Sequence, residues 1–250
     1  MSASPISLIA PAKLTLSLQV TGTRDDGYHL IDAEMVTLDI ADVLTVTPGE
    51  QGLSFDGPQA QGLADSDDNL VSRALRQCGK QARVHVQKNI PHGGGLGGGS
   101  ADAAAIFRWA NYQDLEAASR IGADIPFCMI GGRARVRGIG EIIEPLPFVA
   151  RAITLILLPF GVSTPVVYRA YDALPPQSDE IVNQLEAAAI VVEPRLAVWK
   201  QRIEEASGAV PVLAGSGSTW WLDGEYPNLG ERLPGAIVVV TRTTPLKGLG

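Results

Sequence analysis

Residues 91–105 limit most strongly what this chain can fold into. They read Pro-His-Gly-Gly-Gly-Leu-Gly-Gly-Gly-Ser-Ala-Asp-Ala-Ala-Ala, six glycines in seven positions, then a hydroxyl residue and an alanine-rich stretch. Glycine loses more backbone entropy on folding than any other residue, so such a run survives where a backbone bends sharply or approaches something closely. Ahead of it Ala82, Val84 and Val86 alternate with Arg83, His85 and Gln87, which predicts a strand over 82–88. Behind it the composition predicts a helix over 100–109. A strand, a glycine loop and a helix N-terminus in series form an anion site, because unpaired N–H groups point outward and the helix dipole favours negative charge. Phosphate is the first expectation, with the N–H groups of Ser100 and Ala101 completing the cradle. A surface linker would lack such flanks.

Composition narrows the partners. A formal charge of −7 excludes a nucleic-acid binder that relies on a broad basic face, but not a small anionic ligand held by a few cations. Cys78 and Cys128 give neither a disulfide framework nor metal spacing, and read as reduced thiols. His85 and His92 show no metal-ligand pattern and read as surface or loop residues. The longest apolar run, 152–160, falls short of the roughly 18 residues that span a membrane. With no basic segment ahead of an apolar one at the N-terminus, the expected location is cytoplasmic.

The rest of the chain mixes strands and helices without strict alternation, which predicts an α+β fold rather than a doubly wound parallel sheet. Strands are expected over 6–21 (interrupted at Pro11-Ala12-Lys13), 33–47, 133–137, 141–144, 153–158, 210–213, 219–222 and 236–241. Helices are expected from Asp68-Asn69 to about Cys78, and over 113–121, 165–173, 180–190 and 194–206. Residues 48–68 read as surface turns and 122–128 as a break. Pro145 and Pro147 mark a domain boundary, giving domains 1–149 and 150–250.

Three phosphate-loop types fail on their own requirements. A Walker A loop needs a lysine after its last glycine; here Ser100 follows Gly99, and no lysine occurs between 88 and 200. A dinucleotide fold needs a second strand ending in an acid about 20 residues on. The residues before Asp114 are Arg-Trp-Ala-Asn-Tyr-Gln, which is no strand. A protein kinase needs H-R-D and D-F-G motifs, and neither is present.

A fourth type fits. Residues 91–104 resemble the P-x-x-x-G-L-G-S-S/G-A-A loop of the galactokinase, homoserine kinase, mevalonate kinase and phosphomevalonate kinase (GHMP) superfamily. Within it, the chain resembles the 4-diphosphocytidyl-2-C-methyl-D-erythritol kinases. Six segments carry that resemblance in order: Pro11-Ala12-Lys13-Leu14-Thr15-Leu16, Asp25-Asp26-Gly27-Tyr28-His29, the loop 93–100, Gly122-Ala123-Asp124-Ile125-Pro126-Phe127, Thr164-Pro165-Val166-Val167-Tyr168 and Gly215-Ser216-Gly217. The resemblance implies a two-lobed fold, with an N-terminal lobe like domain 2 of ribosomal protein S5 and a ferredoxin-like C-terminal lobe. It also implies ATP with Mg2+, a small-molecule acceptor, no nucleic-acid or membrane partner, and a monomer or weak homodimer.

The resemblance assigns roles that the residues alone would not. Asp124 becomes the general base and Lys13 its cationic partner, favouring the ionised carboxylate and stabilising phosphoryl charge. Read alone, Asp124 is a turn or cap and Lys13 an edge charge. Pro91, Gly93, Gly94, Gly95, Leu96, Gly97, Gly98, Gly99, Ser100 and Ala101 cradle the triphosphate, while Asn69 and Lys88 meet adenosine; their local readings are a helix cap and a solvated strand end. Tyr28 and Tyr168 would stack on a cytosine whose edge His29 bonds. Thr15 and Thr164 join them on the substrate side, with no protein metal ligand expected. Thr15 stands where the family usually has asparagine, and Ala101-Asp102 where Ser-Asn is common. Asp102 is expected on the outer face of its helix, away from the phosphates. The segment 109–116 is trimmed. Two other readings stay open: a homoserine- or mevalonate-type kinase, against which the Tyr28-His29 pair argues, and a nucleotide-binding regulator without catalysis, hinted at by Thr15 and Asp102.

Overall fold

The computed structural model describes residues 4–245 apart from 65, 67 and 92, so His92 lies outside the described residues. The chain opens with a long antiparallel pair, β1 (Ile6–Thr23) and β2 (His29–Pro48). Pro11-Ala12-Lys13 does not interrupt β1. The pairing register shifts between Pro11 and Lys13 instead, and an irregularity of this kind re-aims a side chain without ending the strand.

β3 (Gly52–Asp56) lies inside the segment expected to hold only surface turns, and it pairs in parallel with β4 (Ala82–Gln87). Its five residues are punctuated by Gly and Asp, which masked it. Between these strands runs α1 (Leu70–Gln77). α2 (Gly98–Trp109) starts two residues before the expected Ser100, and α3 (Leu115–Ser119) follows. The expected break at 122–128 holds a further helix, α4 (Ile125–Ile130). Pro126 signals a break in isolation, but in the first turn of a helix its missing N–H costs nothing.

β5 (Arg133–Gly138) and β6 (Ile142–Pro145) complete the first sheet. β1 takes one edge of β2; β4 and β5 share the other edge, flanked by β3 and β6 respectively. α2 packs on β1 between α1 and α4. Its small side chains allow that burial: Ala101, Ala103, Ala104, Ile106 and Phe107 are wholly enclosed.

The second half runs β7 (Ala152–Leu157), α5 (Thr164–Asp172), α6 (Glu186–Val192), α7 (Arg195–Ser207), β8 (Val212–Leu213), β9 (Trp220–Asp223), α8 (Leu229–Arg232) and β10 (Ile237–Arg242). These four strands form a separate sheet in the order β10-β7-β9-β8, all antiparallel. This βαββαβ order is the ferredoxin-like one that the resemblance implied. The sheets meet where Thr244 N donates to Thr37 O at 2.9 Å and Arg242 N to the Asp39 carboxylate at 3.1 Å.

Two glycine loops meet as well. A Cβ on Gly95 would lie 2.5 Å from Ala214 O, and one on Gly217 would lie 2.5 Å from Gly95 N and 2.6 Å from Gly94 O. Thr219 N donates to Gly94 O at 3.3 Å. Part of the glycine run therefore serves backbone-to-backbone packing between loops. Gly217→Ala is expected to lower stability by about 1–3 kcal/mol, because the obstacle is backbone that cannot turn aside. Gly79→Asn, at a left-handed position with open space around it, should cost less than about 1 kcal/mol. Urea denaturation of both variants checks the contrast.

Candidate active site

The register shift in β1 leaves Lys13 with its side chain inside the molecule, 5% exposed. Its backbone N–H donates to Leu96 O at 3.0 Å, tying it to the glycine loop. Gly97 adopts a left-handed conformation at the N-cap of α2, and a Cβ there would lie 2.8 Å from Lys13 Cγ. Lys13 Nζ lies 3.2 Å from Asp124 Oδ2 and donates to Thr15 Oγ1 at 3.2 Å. Asp124 is the N-cap residue of α4, yet its carboxylate caps no N–H of that helix. It is committed to Lys13 instead, so neither the cap reading of Asp124 nor the edge-charge reading of Lys13 holds.

This ion pair lies on the wall of a cavity of about 580 Å³. Gly95 and Ser100 line it from the phosphate loop, Ala214, Gly215 and Ser216 from the C-terminal glycine loop, and Thr164 from the start of α5. Thr164 Oγ1 and Ser216 Oγ are 2.8 Å apart, joining the last two. Tyr28, His29 and Tyr168 line the same cavity. Tyr28 stands 58% exposed on the turn after β1. The His29 ring stacks on Tyr168, with centroids 4.7 Å apart. Burial pushes the Tyr168 phenol above its ordinary range, with the Asp124 charge adding to the effect. Burial likewise raises the thiol of Cys128 to about 12, so it stays protonated and inert.

On the far side of the loop lies a second cavity of about 250 Å³, lined by Asn69, Lys88, Gly98, Gly99 and Asp102 among others. Asn69 caps α1 by accepting from Val71 N at 2.9 Å, and it lines the cavity too. Lys88 is no solvated strand end. It is buried, and its ammonium is shared between Asp102, at 2.6 Å, and Asp42. Asp102, expected on the outer face of α2, points inward instead, 2% exposed. With β1, α1 and α4 enclosing α2, it has no outer face at this level, and Lys88 supplies the countercharge. Asp42 Oδ1 accepts from the N–H groups of Asn89 at 2.5 Å and Ile90 at 2.8 Å, fixing the chain just ahead of the loop.

One N–H group expected in the cradle is taken up by its own helix. Ala101 N already donates to Gly97 O at 2.8 Å, so the N–H groups of α2 left without a partner among the described residues are those of Gly98, Gly99 and Ser100. Leu96 and Ala101 turn their side chains into the core, and Pro91 lines a separate hollow beside Phe160 and Gly161. Gly93 and Gly94 border neither main cavity. Asp42 was missed because it belongs to no motif. Arg169 and Asp172, also on the larger cavity's wall, were missed although Tyr168, Tyr171 and Asp172 have the spacing of one helix face.

The family model described as GHMP kinases N terminal domain matches residues 69–132. A 4-diphosphocytidyl-2-C-methyl-D-erythritol kinase of Paracoccus denitrificans (strain Pd 1222) is 42% identical over 233 residues, 84% of each chain. One of Ruegeria pomeroyi (strain ATCC 700808 / DSM 15171 / DSS-3) is 35% identical, covering 95% of this chain and 94% of that one. A crystal structure of 4-(cytidine 5'-diphospho)-2C-methyl-D-erythritol kinase matches with a TM-score of 0.75 at 30% identity, over 95% of this chain and 99% of that one. A homoserine kinase from Cytophaga hutchinsonii ATCC 33406, at 17% identity and a TM-score of 0.60 over 96% of this chain and 95% of that one, shares the fold.

Asp102 generates a pH prediction. Burial, aided by competition from Asp42 for the single Lys88 charge, raises its carboxyl from 3.8 to about 7. The folded state then holds a proton that the unfolded chain releases, so this group's contribution is fully present below about pH 4 and is lost as pH rises through 7. Asp102→Asn, neutral at every pH and leaving Lys88 paired with Asp42, should gain stability relative to the native protein as pH rises from about 4 to 8. Denaturation curves at the two pH values measure this.

Proposed function

The chain belongs to the 4-diphosphocytidyl-2-C-methyl-D-erythritol kinase family, and we propose that it moves the γ-phosphoryl group of ATP onto the 2-hydroxyl of 4-diphosphocytidyl-2-C-methyl-D-erythritol, a step of the non-mevalonate isoprenoid pathway. The observation that carries the mechanism is the Lys13–Asp124 pair, 3.2 Å apart on the wall of a cavity that also holds one end of the phosphate loop.

Phosphoryl transfer asks the protein mainly to place the reactants and neutralise charge. The triphosphate lies along Gly95 to Ser100, between the two cavities, with its γ end toward Lys13. The unpaired N–H groups of Gly98, Gly99 and Ser100 face its oxygens. Adenosine takes the smaller cavity, beside Asn69. Asp124 accepts the proton of the 2-hydroxyl as that oxygen bonds to the γ-phosphorus, and the bond to the β-phosphate oxygen breaks to release ADP. Lys13 holds Asp124 in place and offsets charge at the transferring group. Thr15, in place of the family's asparagine, still gives the Lys13 ammonium an acceptor.

Among the described residues no cluster of three or more His, Cys, Asp or Glu side chains forms a metal cage. A Mg2+ would be carried by the phosphates, with the Ser100 hydroxyl, on the wall of the larger cavity, as the protein's contribution. The ion would neutralise phosphate charge. On the acceptor side, Tyr28, His29 and Tyr168 receive the cytosine ring, with stacking worth on the order of 1–3 kcal/mol per base. Arg169, which forms no ion pair among the described residues, offers its charge to the diphosphate. The two lobes divide at 149/150, and the protein works in the cytoplasm as a monomer or weak homodimer.

An intact Lys13–Asp124 pair argues against a regulator that has lost catalysis. Asp124→Asn should lower turnover at least about 1,000-fold with ATP affinity changed less than about threefold, since it removes the proton acceptor and leaves the cradle. Undiminished turnover would remove Asp124 as the base. A panel of alcohol acceptors tests the substrate: turnover of homoserine or mevalonate but not of the cytidylyl compound would overturn the assignment.

A further inference from the structure

α5 presents three side chains to one ring. Tyr168, Tyr171 and Asp172 stand at i, i+3 and i+4, on a single face of the helix. His29, the first residue of β2, is held by all three. Its ring stacks on Tyr168 with planes 28° apart, meets the edge of Tyr171 at 6.4 Å and 88°, and places Nε2 2.6 Å from Asp172 Oδ1. The His29 side chain is 10% exposed, and its Nδ1 has no hydrogen-bond partner among the described residues. Asp172 does nothing for its own helix. It is the last residue of α5, where the dipole disfavours a negative charge.

We propose that Asp172 is a positioning residue that fixes His29 with Nε2–H toward the carboxylate and Nδ1 as an acceptor, and thereby makes the site select an aminopyrimidine over an oxopyrimidine. A carboxylate only accepts, so the proton at this contact belongs to Nε2; in a neutral imidazole the other nitrogen then carries a lone pair. The pairing edge of cytosine has one donor, its 4-amino group, so an acceptor nitrogen can meet that edge only there. Uracil carries a carbonyl at the same position, and two lone pairs face each other. Without Asp172 the ring can turn over or change tautomer and present a donor instead, accepting either base. The proposal rests on the reading of this cavity as a cytidine diphosphate site.

The test uses CDP and UDP as competing ligands of the whole protein at pH 8. The native protein is expected to prefer CDP by at least about tenfold, the value of one directed hydrogen bond. Asp172→Leu should bring the two affinities within about threefold of each other and raise KM for the cytidylyl substrate, with kcat at saturation and KM for ATP changed less than about twofold. Asp172→Asn, whose side-chain oxygen still accepts, should keep most of the preference. An unchanged CDP:UDP ratio in Asp172→Leu would overturn the proposal, as would equal affinities in the native protein. Native protein that binds neither nucleotide would instead overturn the cytidine reading beneath it.

Discussion

The contact between the two glycine loops sets the position of nearly everything else in the site. Gly94 and Gly95 on one side and Ala214 and Gly217 on the other approach so closely that no side chain fits between them. This contact brings Gly215 and Ser216 to the wall of the same cavity as Lys13 and Asp124, although Lys13 and Ser216 lie toward opposite ends of the chain. The phosphate loop then holds Lys13 from two directions, by the hydrogen bond from Lys13 N to Leu96 O and by the close approach of Gly97 to its side chain. A glycine run met first as a phosphate signal is thus also a joint between the two halves of the molecule.

Two buried lysines flank this loop and serve different ends. Lys13 pairs with one carboxylate at the edge of an open cavity, and the Asp124 side chain remains 31% exposed. Lys88 is enclosed between two acids, both almost wholly buried. A buried pair adds little net stability because desolvation offsets attraction, but removing one partner leaves an uncompensated charge and costs several kcal/mol. The Lys88 cluster therefore acts as a tie, joining β2, the segment before the loop and the first turns of α2. Lys13 and Asp124 instead face an open cavity.

Family membership, the α+β class and the pairing of Lys13 with Asp124 were legible in the sequence because ordered motifs carry them. The strand before the loop followed from local alternation, and the helix after it from alanine-rich composition. Other features were hidden for physical reasons. α4 was masked by Pro126, which reads as a breaker until its place in the first turn is known. Asp102 looked like a surface charge because nothing near it in sequence predicts Lys88 as its partner. Asp42 belongs to a strand whose alternation says nothing of the N–H groups it meets 47 and 48 residues later.

By itself the sequence determined which chemistry this chain carries: a glycine cradle, an acid, a lysine and a set of aromatic rings in an order that names a kinase family. Only the tertiary structure decided how each is used. It showed that Gly94 and Gly95 pack on another loop, that Ala101 N belongs to its helix, that Lys88 is held between two carboxylates, and that His29 is gripped by one face of α5. Each of these depends on contacts between residues far apart in the chain. Local periodicity and motif spacing report backbone preference and residue type, whereas burial and the choice of partner are settled only when the sheets and helices close on one another.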